Sequence, residues 1–192
     1  MKRSVSLAAA LFLICSTLLH ADSSSDEATI VFMRSSFVGS MIKASLYDVT
    51  DGETRFLGIL KNKTRLEHKA SPGKHTFMVV SEAADFMEAE VDAGKTYYSI
   101  IVVRSGAWKA RFSMYPIRTD GTSEYNTDTK DFAKWMDKSK VITVTDKDRQ
   151  WYEEHKESVE EKKDKYWPKW LEKSPEDLAE RTLNAGDGVE DN

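Results

Sequence analysis

"AEVDAGKTYYSIIVV", residues 89–103, decides how this chain folds. Its first eight residues fit a common form of the phosphate-binding loop: Ala, four residues, then Gly-Lys-Thr. Such a loop wraps phosphate oxygens in backbone N–H groups and opens a helix. Here the residues that follow are Tyr97-Tyr98-Ser99-Ile100-Ile101-Val102-Val103, aromatic and β-branched types that form a strand. The residues before the loop alternate Met87, Ala89 and Val91 against Glu88, Glu90 and Asp92, the pattern of a half-solvated strand. The stretch therefore predicts two strands joined through Ala93-Gly94 as a hairpin, with Lys95 facing Asp92 and no ATP bound. In that register Tyr98, Ile100 and Val102 share a face with Met87, Ala89 and Val91. Ile101 and Val103 point the other way, so the second strand is apolar on both sides and must be covered twice.

Working outward, six further segments are strand-length and turn-bounded: residues 28–34, 41–49, 55–60, 64–69, 75–80 and 108–117. Asp51-Gly52, Pro72-Gly73, Ala93-Gly94 and Ser105-Gly106 supply the turns. About eight short strands at near-regular spacing predict a mainly β protein, an antiparallel β-sandwich over residues 28–120. Near residue 120 the composition shifts to Lys, Glu and Asp with spaced aromatics. A C-terminal α extension is predicted over 127–183, with two or three helices packed on one sheet. Its first helix carries Phe132, Trp135 and Met136 at i, i+3 and i+4. Its second opens at Thr145-Asp146-Lys147-Asp148, a capping-box pattern, and is expected to run to Trp167, where Pro168 ends or kinks it. A third is capped by Ser174-Pro175. Ile101 and Val103 on the sheet, with Trp151, Tyr166 and Trp170 on the helices, are the expected docking residues. Residues 184–192 are expected to form a disordered tail.

The chain opens "MKRSVSLAAALFLICSTLLHA", two cations, an apolar run and a small residue at Ala21. This reads as a signal peptide over 1–21, followed by a short linker at 22–27, and predicts a periplasmic or secreted protein. The apolar run is shorter than the roughly 20 residues that span a bilayer, so no transmembrane span is expected after cleavage. Cys15 follows Phe12-Leu13-Ile14, where a lipoprotein site wants a small residue. Cleavage takes Lys2 and Arg3 from the 28 basic side chains against 32 acidic ones, moving the formal charge from −4 to −6, and removes the one cysteine. Stability must then come from packing rather than disulfides. An acidic surface of mixed sign argues against nucleic acid or an anionic membrane as partner.

Candidate chemistry is sparse. His68 and His75 flank the Pro72-Gly73 turn, but two histidines alone do not hold a metal. No nucleophile, base and orienting acid assemble from local spacing, and neither a metal nor a cofactor is expected. Outward carboxylates such as Glu88 and Glu90 leave a hydrolase of envelope substrates open. Exposed rings, with Trp108, Tyr97 and Tyr125 as the candidate binding surface, leave open a carbohydrate- or peptide-binding module. The helices could also reach a partner protein of the envelope.

Four turn motifs carry a resemblance: Asp51-Gly52, Gly58-Ile59, Pro72-Gly73-Lys74-His75 and Gly94-Lys95-Thr96-Tyr97-Tyr98. Over about residues 28–118 the chain resembles the exported bacterial β-sandwich domains of the PEGA type and a related family of unknown function. The resemblance implies a non-catalytic binding or structural module of the envelope, and supplies no catalytic residues.

Overall fold

The computed structural model of the protein describes residues 26–36, 39–104 and 111–190. The expected signal peptide and Trp108 lie outside the described residues. Eight main strands come first: β1 (Ala28–Arg34), β2 (Ala44–Asp48), β3 (Arg55–Leu60), β4 (Thr64–Ala70), β5 (Gly73–Val80), β6 (Ala84–Val91), β7 (Lys95–Arg104) and β8 (Arg111–Pro116). There follow α1 (Lys130–Lys138), β9 (Lys140–Ile142), α2 (Asp146–Leu171), α3 (Pro175–Glu180), β10 (Thr182–Leu183), a 3₁₀ turn (Ala185–Asp187) and β11 (Val189–Glu190).

The strands form two sheets, a β-sandwich with helices against it. One sheet runs β9-β4-β1-β7, and β8 and β11 share the remaining edge of β7. The other runs β3-β2-β5-β6-β10. Both are mixed rather than purely antiparallel: β1 lies parallel to β7, β9 to β4 and β10 to β6. Phe32, Leu46, Leu60, Phe77, Val79, Met87, Tyr97, Ile101 and Phe112 fill the space between the sheets.

This topology corrects the predicted hairpin. β6 and β7 are not paired but belong to opposite sheets, and residues 92–94 carry the chain across the gap. Facing sheets pack about 10 Å apart, which a three-residue connection at roughly 3.3 Å per residue can span. Gly94 takes φ 71°, its N–H bonds Glu27 O at 3.1 Å, and Lys95 Nζ meets Asp92 at 2.9 Å. The Pro72-Gly73 turn likewise links β4 in one sheet to β5 in the other. Crossing between sheets also inverts the predicted faces. Ile101 and Val103 point at Met87, Ala89 and Val91 across the inter-sheet core, so they are not the helix-docking residues. Tyr98, Ile100 and Val102 face outward. The strand is covered on both sides, with the two covers exchanged.

The helices divide between the two outer faces instead of sharing one sheet. On β1 and β7, α1 sets Phe132, Trp135 and Met136 against Val31, Met33 and Ile100. Thr129 caps it by accepting from Phe132 N, and Arg65 holds the carbonyls of Met136 and Ser139 at 2.9 Å. On the second sheet, α2 lays Tyr152, Val159 and Trp170 over Tyr47, Met78, Val80 and Phe86, with Trp151, Tyr166 and Trp167 half-buried beside them. Tyr152, Val159 and Tyr166 recur every seven residues, which keeps one narrow stripe on the sheet. Its capping box forms between Thr145 and Asp148. The helix does not stop at Trp167: Pro168 sits inside it, one turn from its end. The amide this proline lacks would serve the carbonyl of exposed Asp164, which water can reach.

The tail is also corrected. Residues 184–190 are structured, because Asp187 is buried and takes both the Arg118 guanidinium and the Asn184 N–H at 2.7 Å. A buried carboxylate satisfied twice holds a segment whose composition alone reads as loose.

Candidate functional site

A cleft of about 450 Å³ opens where β8 meets α3, at the side of the sandwich that β10 and β11 border. One wall is built from Tyr115 and Tyr125, whose rings lie 5.2 Å apart at 44°. Tyr115 stands on the outward face of β8, while Tyr125 lies in the segment linking β8 to α1. That segment folds back on itself. Arg118 N donates to Tyr125 O at 2.8 Å and Thr127 N to Arg118 O at 2.9 Å. Thr122 gives its N–H and hydroxyl to Asp120, and Tyr125 N donates to Ser123 Oγ. Asp and Ser in such turns satisfy the backbone locally, so the loop holds its shape without a sheet.

The opposite wall is Ala179 and Glu180 of α3. Arg118 bridges the two, with one guanidinium nitrogen on Ala179 O at 2.8 Å and the other on Asp187. Beneath it, buried Arg181 lies over the Tyr115 ring at 4.4 Å. The rims carry Thr122, Ser123, Glu124 and Glu180.

Charge is set locally. Two hydrogen bonds from Thr122, the backbone one first, hold the Asp120 carboxyl below the usual carboxylate range. Burial, and then the neighbouring Glu124, pushes the Tyr125 hydroxyl up to about 12, so it remains a donor at neutral pH. The cleft thus offers aromatic faces, fixed hydroxyl groups, carboxylates and an anchored guanidinium. That set suits a ligand carrying many hydroxyl or amide groups.

The sequence-predicted site residues are scattered. Tyr125 lines the cleft, but Tyr97 does not: it is fully buried under the tail, receiving a bond from Asp92 N at 2.8 Å and donating to Ala185 O at 3.2 Å. Glu88 and Glu90 stand away from the cleft on β6, opposite Thr76 and Lys74. His68 and His75 lie on different sheets, each about one ring contact from Phe77, at 5.9 and 5.8 Å. His75 Nε2 is 2.7 Å from Ser71 O. Among the described residues no group of three His, Cys, Asp or Glu side chains comes together to hold a metal. Tyr115, Arg118 and Arg181 were not legible as site residues: Tyr115 reads as one more strand aromatic, and the arginines reach the cleft only through contacts distant in sequence.

The fold and this cleft define a β-sandwich clasped by helices on both outer faces, with a polar aromatic cleft at one side. No protein-family model matches the chain, and no curated protein matches it either.

Proposed function

We propose that the protein is an exported, non-catalytic module of the cell envelope that binds a sugar-bearing envelope fragment in this cleft, against the wall formed by Tyr115 and Tyr125. The observation carrying this is the cleft of about 450 Å³, in which two rings and fixed polar groups converge on one space. A volume in this range accommodates a ligand of one or two sugar units. The reading is supported by the signal-like N-terminus and by the turn motifs shared with PEGA-type domains. Both support a location in the periplasm or outside the cell, where glycan and peptide polymers are the abundant ligands.

The test is a titration of soluble peptidoglycan fragments into the purified protein, followed by calorimetry and by mass analysis of the ligand afterwards. Saturable binding that Tyr125→Ala weakens about tenfold or more, with the ligand recovered intact, supports the proposal. Cleaved ligand would favour a hydrolase using Glu124 and Glu180, and binding indifferent to Tyr125→Ala would place the site elsewhere.

A further inference from the structure

A different end of the molecule carries its own signal. Met41 is 93% exposed and Ile42 37%, and both belong to the turn that joins β1 to β2. The turn is anchored rather than loose. Arg34, fully buried at the end of β1, directs its guanidinium to the carbonyls of Gly39 and Ile42, and Ile42 N closes the turn on Gly39 O at 3.0 Å. Two adjacent apolar side chains, Met41 and Ile42, are therefore presented at the surface by a turn that a buried cation holds in place.

Lysines surround it. Lys43, just before Ala44, and Lys61, just after Leu60, flank the Ala44–Leu60 pair and line, with Lys147, one cavity of about 310 Å³. Lys63 donates its N–H to Arg34 O at 2.8 Å and accepts from Lys140 N at 3.0 Å, which sets these two at the same end of the sandwich. Half-exposed Val141 follows Lys140. All five lysines are exposed, and among the described residues none is in an ion pair. Of the carboxylates nearby, Asp148 is committed to the N–H and hydroxyl of Thr145, and Asp137 is paired with Lys138 at 3.3 Å. Asp146, beside Thr145, and Glu82, which lines a cavity with Lys43, also lie near this border. The net charge of the chain argues against an anionic surface as partner, but a sum over the chain does not describe where the charges sit.

We propose that this end of the sandwich docks on an anionic phospholipid surface, with Met41 and Ile42 entering the headgroup layer and Lys43, Lys61, Lys63, Lys140 and Lys147 facing the phosphates. Each lysine near such a surface is worth about a fivefold gain in partition, and a short apolar protrusion adds to it, giving reversible, salt-sensitive attachment. A soluble polyanion would use the lysines but gains nothing from a methionine held in water. The glycan cleft and this patch are independent, so either can fail alone.

The experiment is co-sedimentation of the purified protein with vesicles, either of phosphatidylcholine alone or of phosphatidylcholine mixed with phosphatidylglycerol, in dilute and in concentrated salt. Binding is expected to the mixed vesicles alone, and to be lost in concentrated salt. Lys43→Glu with Lys61→Glu should lower it about tenfold or more, and Met41→Asp severalfold. Lys165→Glu with Lys169→Glu, the same change of net charge on the exposed face of α2, should leave it unchanged. Four outcomes would overturn the proposal: no partition, equal binding to neutral vesicles, equal loss from the two lysine pairs, or binding of a soluble uronic-acid polymer through Lys43 and Lys61 without vesicle binding.

Discussion

The guanidinium of Arg181 lies against the carboxylate of Asp85 across 96 residues of chain, with both side chains shut away from solvent. Arg181 also donates to Met114 O and stacks between Tyr115 at 4.4 Å and Trp170 at 5.8 Å. One cation thereby ties β6, β8 and the end of α2, and it backs the Tyr115 ring that lines the cleft. Asp85→Ala strands a buried charge and should cost about 3–5 kcal/mol in urea unfolding. Arg181→Met should cost less, because Asp85 keeps Arg104 at 3.7 Å. Combining Asp85→Leu with Arg181→Met should recover most of the loss while loosening ligand binding at Tyr115.

The tail can be released without touching the core. A Cβ on Gly188 would come within 2.6 Å of Tyr97 Cζ and 2.8 Å of Lys95 Cδ, so nothing larger than glycine fits where β11 approaches β7. Gly188→Val should detach β11 and leave Tyr97 without its acceptor at Ala185. Hydrogen exchange should then quicken at Lys95 and Thr96 while the amides of β1 and β5 stay protected. Uniformly unchanged exchange would mean that the tail holds by Asp187 alone.

These relationships mark where the sequence is legible. The strands announce themselves because their signal is local: Met87, Ala89 and Val91 alternate with acids, and Thr145 with Asp148 caps a helix within four residues. Which strands pair is a different matter. Gly94 suits a hairpin and an inter-sheet crossing equally well, since both need one residue at positive φ, and only the distant partners β1 and β5 decide between them. The inversion of Ile101 and Val103 follows from that one choice. The cleft was half legible for the same reason. Tyr125 is a visible aromatic in a polar loop, whereas Arg118 and Arg181 acquire their roles from Asp187 and Asp85, 69 and 96 residues away.

Acid should weaken the sandwich through His68. Burial pushes its imidazole below the ordinary value of 6.5, although Asp48 pulls it partly back. A lowered folded pKa means that the native state binds the proton later than the unfolded chain. The contribution of neutral His68 is therefore intact above about pH 6.5 and is lost as pH falls from there through the folded value. The slope cannot exceed about 1.4 kcal/mol per pH unit for one proton. His68→Phe keeps a ring beside Phe77 and removes the titration. Urea midpoints measured across this window should fall more steeply for the native protein than for the variant, and parallel curves would exclude His68 as the source.

The division of the helices between the two faces bears on whether they serve the sandwich or a partner. Removing residues 127–192 strips α1 from Met33 and Ile100, and α2 from Tyr47, Met78 and Phe86, all buried in the intact protein. It also takes β9 and β10 away, leaving β4 and β6 as bare edges. Two apolar faces and two open edges are the conditions under which a sheet protein aggregates. The truncated chain should therefore be insoluble, or soluble only with strong binding of an apolar dye. Removing residues 184–192 alone should leave a soluble, cooperatively unfolding protein, because that cut uncovers Tyr97 and the 95–96 end of β7 and unpairs Arg118 from Asp187, but leaves both outer sheet faces covered by α1 and α2. A stable, dye-silent sandwich after the larger cut would show that the helices are appended for a partner rather than required by the fold.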